Sequence, residues 1–224
     1  MADIKIYAKP PCLYRYRRLG EKTEQEITAL IKGYIYCPTF SEMNDPMESS
    51  YRISSRFQAN PNSEKSRIRV QAALGKVGIA SMSEIHDHEP MWAHYADQFK
   101  GMCVQYSTNR LLKGLSKDIA ITRMMYSEKE PVLLDDSSTS IDRARLCLSS
   151  KTVRWASERE WRIFKEERGE ASYGDQKPIT GILLGARISS QDEERVIDTC
   201  KMLNVPVAKM TIDAYKLKFN RIRS

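Results

Sequence analysis

The stretch KTVRWASEREWRIF, residues 151–164, sets Glu158 and Glu160 between Trp155 and Trp161. Large aromatic side chains are typical of buried surfaces, so a pair of carboxylates between them is an unusual placement of charge. Because side chains on a strand alternate between its faces, a strand through Trp161 would carry both glutamates on one face. Two such carboxylates repel, and one of them would hold a proton near neutral pH unless nearby arginines compensate.

A plainer interpretation of this stretch is ion pairing on a solvated surface. Arg154, Arg159 and Arg162 lie close enough along the chain to pair with the two glutamates. Exposed ion pairs of this kind contribute little to stability and carry no chemistry. The two interpretations differ in one respect, which is whether the glutamates are buried or exposed.

Hydrophobic patterning along the rest of the chain predicts short strands mixed with short helices. The strands and helices do not alternate strictly, as they would in a parallel α/β fold. We therefore expect an α+β fold, a single domain over residues 1–224 with a mixed, mostly antiparallel sheet flanked by short helices. A chain of 224 residues is long enough for one well-buried core.

Capping signals predict the ends of two helices. Thr23 and Glu26 have the spacing of a capping box, and Gly33 follows as a stop signal. Ser190 and Glu193 have the same spacing at the start of a second helix. These signals place one helix early in the chain and one near its end.

Composition limits the classes of partner. The formal net charge is +7, from 36 Lys and Arg against 29 Asp and Glu, which favours anionic partners only weakly. No apolar run is long enough to cross a bilayer and the first residues do not resemble a signal peptide, so a cytoplasmic location with no membrane partner is expected. The basic residues concentrate towards both ends of the chain, at Arg15, Arg17, Arg18, Lys216, Lys218, Arg221 and Arg223.

The cysteines predict reduced thiols. Their number is five, which is odd, and none forms a C-x-x-C pair. Small core residues are their expected role.

An early strand carries two candidate phosphate ligands. Leu13, Arg15 and Arg17 would fall on one face, and Tyr14 and Tyr16 on the other. A guanidinium group makes forked hydrogen bonds to phosphate oxygens, which suits an arginine on such a strand. An edge strand with a solvated face would have the same pattern.

Two polar stretches follow in the first half of the chain. Asn44-Asp45-Pro46, with Glu48 after it, indicates a turn that would either form the rim of a pocket or serve only as a turn. His86-x-His88 raises a metal hypothesis, but no further ligand at a suitable spacing completes a site.

The segment that opens at Pro90 predicts a short helix. Met91, Trp92, Tyr95 and Phe99 would share its buried face, and Gly101 would end it. His94 would then project from a helix that Trp92 anchors. A lone histidine of this kind is more often structural than catalytic.

Four segments in this order resemble the domain-of-unknown-function 2971 (DUF2971) family of bacterial and phage-defence-associated proteins. The resemblance extends from about residue 13 to about residue 210, which is nearly the whole chain. The segments are Leu13-Tyr14-Arg15-Tyr16-Arg17; Phe40 with Asn44-Asp45-Pro46 and Glu48; Met91-Trp92, His94-Tyr95-Ala96-Asp97 and Gly101; and Lys151 with Trp155, Glu158, Glu160, Trp161 and Arg162.

A more distant resemblance is to the Arg-Ser-Glu ADP-ribosyltransferases. The three motifs of those enzymes would correspond to Arg17 or Arg15, to Ser81-x-Ser83 and to Glu158-x-Glu160. This resemblance implies a split mixed sheet and NAD as a substrate. The Asn-Asp-Pro and Trp-x-His-Tyr motifs have no counterpart in the transferases.

The resemblance implies a role for each group. An arginine would bind the pyrophosphate of NAD, while Glu160 would stabilise the ribosyl cation and Glu158 would orient or deprotonate a nucleic-acid or protein acceptor. The implied residues are catalytic Glu160, Glu158, His94 and Tyr95; NAD-binding Arg17, Arg15, Ser81, Ser83, Trp92 and Tyr126; and pocket-forming Asn44, Asp45, Glu48, Trp155 and Arg162.

Two alternatives stay open at the level of sequence. A metal-dependent nuclease or hydrolase would use Asp45, Glu48, His94 and Glu160. A non-catalytic module would bind nucleic acid or a partner protein through the basic ends of the chain.

Overall fold

A computed structural model describes residues 9–45 and 47–222. The chain divides into two compact units, each built from separate stretches of sequence. The first unit comprises the described residues of Met1–Tyr34, Ser83–Leu115 and Ser172–Ser224, and the second those of Ile35–Met82 and Ser116–Ala171. The expectation of a single domain over residues 1–224 stays a prediction.

Helices and strands are both abundant, as an α+β fold requires. The helices are α1 Thr23–Lys32, α2 Ser55–Ala59, α3 Ser63–Lys76, α4 Glu89–Tyr95, α5 Thr108–Gly114, α6 Ser140–Leu148 and α7 Ser190–Leu203. Short 3₁₀ helices span Gly20–Lys22, Phe40–Glu42, Val153–Glu158 and Gly174–Gln176.

The strands are short, as the patterning predicts. Their bounds are β1 Cys12–Arg17, β2 Tyr34–Cys37, β3 Arg52–Ile53, β4 Gly78–Ser83, β5 Met102–Ser107, β6 Ala120–Arg123, β7 Met125–Ser127, β8 Val132–Leu133, β9 Ser150–Thr152, β10 Glu160–Lys165, β11 Gly169–Ser172, β12 Ile179–Leu184, β13 Val207–Asp213 and β14 Lys216–Arg221.

In the first unit the strands follow the order β14-β13-β12-β5-β1. Neighbours are antiparallel except β12 and β13, which are parallel because α7 connects them as a crossover helix. The fold is therefore α+β with a mixed, mostly antiparallel sheet, and this prediction is confirmed.

The two faces of β1 pack against different partners, as the alternation predicts. Tyr16 packs edge-on to Trp92 on α4, with ring centroids 5.3 Å apart, and Tyr14 lies 5.0 Å from the ring of His86. On the opposite face Arg17 reaches Glu26 on α1. The strand thus joins an aromatic cluster on one side to a helix on the other.

In the second unit β4, β10 and β6 are neighbours in that order, and β10 and β6 are antiparallel. Two small parallel pairs, β3 with β8 and β7 with β9, lie in the same unit. A core that includes Phe57, Leu74, Leu148 and Phe164 fills the space between the sheet and the helices. Burying side chains of this size contributes roughly 1.5–3 kcal/mol each.

Two of the predicted caps differ from the structure. Thr23 and Glu26 do not form a capping box, because the Thr23 hydroxyl donates to Asp192 while Glu26 binds Arg17. The second cap is shifted by one residue, since Ser189 rather than Ser190 accepts the Asp192 N–H. In both cases the local motif is present in sequence, but a tertiary partner or a neighbouring serine competes for it.

Gly33 ends α1 in the left-handed conformation, with φ of 73°, as predicted. Gly101 does not end α4, which stops at Tyr95. Its role is steric, because a Cβ atom on Gly101 would lie 2.1 Å from the Arg17 carbonyl oxygen. Glycine is required there for the close approach of two backbone segments.

Candidate functional site

The stretch around Glu160 changes conformation at its centre. Val153–Glu158 is a 3₁₀ helix, Arg159 takes the left-handed conformation with φ of 46°, and β10 begins at Glu160. The prediction that Glu158 and Glu160 share a face of one strand is therefore wrong. The turn nevertheless brings both carboxylates to the same ammonium group.

Lys151 is that shared partner. Its Nζ donates to Glu158 Oε2 at 3.0 Å and lies 3.1 Å from Glu160 Oε2. The same Nζ lies 4.6 Å from the centroid of the Trp155 ring. Burial would lower the pKa of Lys151, but the charges of Glu160 and Glu158 outweigh it and raise the pKa. Lys151 is therefore charged at all ordinary pH values.

Arg162 anchors the other side of Glu160. Its side chain is 0% exposed, and its Nε donates to Glu160 Oε1 at 2.7 Å. Two further bonds of 2.6 Å form a fork to the Glu48 carboxylate, and a fourth bond of 2.7 Å reaches the Leu148 carbonyl. Such a fully bonded guanidinium is the favourable way to bury an arginine.

The charges of this cluster do not cancel. Glu48, Glu158 and Glu160 supply three negative charges, against two positive charges from Lys151 and Arg162, which leaves −1. Burial opposes ionisation of Glu160, but Arg162 and Lys151 outweigh it and lower its pKa to about 2. Glu160 is an anion at neutral pH, so it does not hold the proton that its repulsion with Glu158 would favour.

Two predicted residues contact Glu160. The Tyr126 hydroxyl accepts the Glu160 backbone N–H at 2.8 Å. Ser81 Oγ is buried beside the Glu160 carboxylate and helps to lower its pKa, although the contact is not a fully formed hydrogen bond. Ser81 reaches this position because β4 and β10 are neighbouring strands.

The Asn-Asp-Pro turn places Glu48 in the cluster. Asp45 Oδ1 accepts the Met47 N–H at 2.9 Å, and the Asp45 carbonyl accepts the Glu48 N–H at 3.2 Å. Asp45 and Glu48 are buried, whereas Asn44 is exposed, and Pro46 lies outside the described residues. The turn therefore positions a buried acid and does not place a row of polar side chains at a surface.

The predicted phosphate ligands belong to the first unit. Arg17 Nε donates to Glu26 Oε2 at 2.8 Å, and its Nη2 pairs with the other oxygen of the same carboxylate. Burial would lower the pKa of Arg17, but Glu26 raises it. Arg15 is 7% exposed, and Ser83 Oγ accepts the Ile85 N–H. Binding of a pyrophosphate by these residues stays a prediction, and for Arg17 it would compete with Glu26.

The Trp-x-His-Tyr motif also belongs to the first unit. Trp92 is 0% exposed and donates its Nε1–H to the His86 carbonyl at 2.7 Å. His94 is exposed and Tyr95 half-buried, with ring centroids 6.3 Å apart. Trp92 is thus part of the core of this unit, while His94 is open to solvent.

The metal alternative has no support in the part of the chain that the structure describes. Within it, no three His, Cys, Asp or Glu side chains come together as metal ligands would. This result includes His86 and His88 within the first unit, and Asp45, Glu48 and Glu160 within the second. The cations that lie against the Glu160 carboxylate are Lys151 and Arg162.

Lys151 is the residue that sequence reasoning left out of the candidate site. A lysine next to a serine and a threonine has no local feature that predicts burial. Its place in the site follows only from strand pairing in the folded chain, because β9 pairs in parallel with β7 and sets Lys151 opposite Tyr126. The site in the second unit therefore comprises Glu158, Glu160, Arg162, Glu48, Lys151, Trp155, Tyr126 and Ser81.

A comparison with protein families agrees with the resemblance in the sequence. Residues 91–163 match the model of DUF2971, described as a protein of unknown function. The DUF2971 assignment is confirmed for this segment. The DUF2971 segment includes both the Trp-x-His-Tyr motif and Glu160, while its description names no activity. No curated protein and no solved structure matches the chain.

No helix among the described residues has the length and the apolar character that crossing a bilayer needs.

Proposed function

We propose that the chain is an NAD-using enzyme of the ADP-ribosyltransferase type, which cleaves NAD or transfers its ADP-ribose, with Glu160 as the catalytic carboxylate. The observation that carries the proposal is that Ser81 Oγ lies beside the Glu160 carboxylate on a neighbouring strand. The resemblance assigns these two positions to the Ser-x-Ser and Glu-x-Glu motifs. Arg162 and Lys151 outweigh the effect of burial and keep the Glu160 carboxylate ionised.

The charge of Glu160 suits the chemistry. When the bond between ribose C1′ and the nicotinamide nitrogen breaks, its electron pair leaves with neutral nicotinamide and the ribose becomes cationic. A fixed carboxylate stabilises that cation more than it stabilises the ground state. The acceptor then adds to C1′ and loses a proton, and Glu158 is the neighbouring base.

Access to Glu160 depends on the surface turn that follows β9. Glu160 is 3% exposed, whereas Val153, Arg154 and Ser157 of the turn are exposed. Under the proposal, NAD binding displaces the exposed side chains of this turn, while Trp155 and Glu158 keep their contacts with Lys151. Loop movements of this kind commonly complete an active site.

The test is release of nicotinamide from NAD by the purified protein. We expect Glu160→Gln to lower the rate on the order of 100-fold or more, since it removes the charge while keeping the shape. Glu166→Gln, at an exposed position after β10, is the matched control and should retain the wild-type rate. Equal release from wild type and Glu160→Gln, or none from wild type with water, nucleic acid and protein acceptors, would refute the proposal.

A second candidate function, nucleic-acid binding without catalysis, is favoured by the β13–β14 hairpin. Its turn exposes Tyr215 fully, at 98%, and β14 exposes Lys216, Lys218 and Arg221. An exposed ring beside basic side chains suits a single strand of nucleic acid, which binds by stacking and charge. This function predicts salt-sensitive binding that Lys216→Ala weakens and Glu160→Gln does not affect.

A further inference from the structure

The Lys151 ammonium group lies in a closed cage in the second unit. Its side chain is 4% exposed. Two carboxylate oxygens, from Glu158 and Glu160, lie 3.0 and 3.1 Å from Nζ, and the Trp155 ring centroid lies 4.6 Å away. The cage is formed because the turn Val153–Glu158 folds back over the strand that carries Lys151.

The cage matches the chemistry of a primary ammonium. Such a group has three N–H donors and no acceptor. One donor binds Glu158, the Glu160 carboxylate pairs with the same charge at 3.1 Å, and the Trp155 ring presents its negative face to it. A planar guanidinium would use forked bonds instead, as Arg162 does nearby. The cage therefore recognises both the charge and the shape of its occupant.

Lys151 also bridges the two acids of the proposed active site. Arg162 donates to both oxygens of Glu160, at 2.7 Å to Oε1 and 3.4 Å to Oε2, while Lys151 Nζ lies 3.1 Å from Oε2. Arg162 is fixed by Glu48, whereas Lys151 binds Glu158 as its second acid. Without Lys151, the Glu158 and Glu160 carboxylates would repel each other without a cation between them.

We infer that Lys151 is a positioning residue, which holds Glu158 and Glu160 side by side from within a cage that recognises a primary ammonium group. The catalytic part of this inference rests on the proposed function, while the cage does not. Other groups that face Glu160 are Arg162 on β10, Ser81 on β4 and Tyr126 on β7.

Chemical rescue of Lys151→Ala tests the inference. This substitution removes Cγ, Cδ, Cε and Nζ, which n-propylammonium replaces atom for atom. We expect Lys151→Ala to lower Tm by about 10 °C, because it removes the buried cation that Glu158 and Glu160 share. n-Propylammonium should restore at least half of the lost Tm, and its effect should saturate as its concentration rises. n-Propanol should not restore Tm. In the same titration nicotinamide release should recover.

Lys209→Ala is the matched control. Lys209 binds Glu193 with its side chain 37% exposed, so its loss leaves no cage for the amine. We expect n-propylammonium to shift the Tm of this variant no more than it shifts the Tm of wild type. The cage would be refuted if the amine raised the Tm of both variants equally. It would also be refuted if amine and propanol raised the Tm of Lys151→Ala equally.

The two parts of the inference fail separately. Recovery of Tm without nicotinamide release from any sample, wild type included, would retain the cage and reject the proposed function. Recovery of Tm without recovery of an activity that wild type shows would reject the positioning role.

If Lys151→Ala does not fold, Lys151→Met keeps the volume and removes only the charge. We then expect a carboxyl group of the variant to titrate near neutral pH by carbon-13 NMR, since Glu158 and Glu160 lose their shared cation. Carboxyl titrations identical to those of wild type would overturn the inference.

Discussion

Glu160 acquires its chemical character from the side chains around it. A glutamate that is 3% exposed would ordinarily be neutral, because burial disfavours the charged form. Here Arg162 on β10 and Lys151 on β9 both lie against the carboxylate. The residue is therefore a buried anion, which is the state that stabilising a ribosyl cation requires.

Arg162 provides the first prediction at the scale of residues. Arg162→Met should lower the free energy of unfolding by about 3–5 kcal/mol, because Glu48 and Glu160 would stay buried without their shared cation. Combining it with Glu48→Met should recover part of that loss, since one of the stranded charges is removed. Urea unfolding of the single and double variants measures the coupling. A single variant within about 1 kcal/mol of wild type would contradict the buried network.

The acid sensitivity of the fold is a second prediction at this scale. The pKa of Glu160 is lowered to about 2 from an ordinary 4.5, because Arg162 and Lys151 outweigh burial. Between these values the unfolded chain binds the proton that the folded chain does not, so stability falls as pH falls from 4.5 towards 2. The free energy of unfolding should fall by about 3 kcal/mol over this range through Glu160.

Urea unfolding across this pH range is the measurement. Glu160→Gln has no carboxyl group to protonate, so its stability should change less with pH than that of wild type. Parallel pH profiles of the two proteins would show that Glu160 has no lowered pKa.

Among the elements, the turn after α4 is shaped by backbone contacts. Asp97, Gln98 and Phe99 have positive φ values of 46°, 53° and 69°. Gly101 and Gly185 then allow the close approaches: a Cβ atom on either would lie 2.1 Å from a carbonyl oxygen, of Arg17 and of Phe99 respectively. Gly101 lies in the segment that matches DUF2971, and the close backbone approach explains why a glycine occupies this position.

We predict that Gly101→Ala and Gly185→Ala each lower the free energy of unfolding by about 1–3 kcal/mol, because the backbone must move to accept the new methyl group. Gly75→Ala is the control. Gly75 lies in α3, and a Cβ atom there would meet nothing within 4 Å. It should raise the free energy by roughly 0.5–1 kcal/mol. The measurement is thermal or urea unfolding, and a neutral Gly101→Ala would contradict the steric role.

At the scale of the whole molecule, the five cysteines report on both units. All are free thiols; Cys37, Cys103, Cys147 and Cys200 are buried and Cys12 is half-buried. Burial also raises the pKa of Cys147 and of Cys200 to about 12, which suppresses the reactive thiolate. The expectation of reduced core thiols agrees with this arrangement.

We predict that a thiol reagent labels no more than the Cys12 thiol rapidly in the native protein, and all five thiols in denaturant. Counting labelled thiols by mass spectrometry over time checks this. Cys12→Ser should abolish the rapid phase. Rapid labelling of several thiols in the native protein would show that one of the two cores opens readily.

Local patterns predicted the fold more completely than the candidate site. The alternation in β1 gave the correct faces for Arg17 and Tyr16, because a strand repeats every two residues whatever surrounds it. The cap at Thr23 was wrong because Asp192, 169 residues away, binds its hydroxyl. Helix ends depend on single hydrogen bonds, for which distant groups compete.

The sequence alone determined the α+β class and the importance of the stretch with two tryptophans and two glutamates, since both follow from side-chain type and short-range spacing. Only the tertiary structure decided the state of those glutamates. Arg162 binds Glu48 across 114 residues, and a turn folds Glu158 back onto Lys151. Charge in a buried site depends on distances through space, and a linear pattern does not contain them.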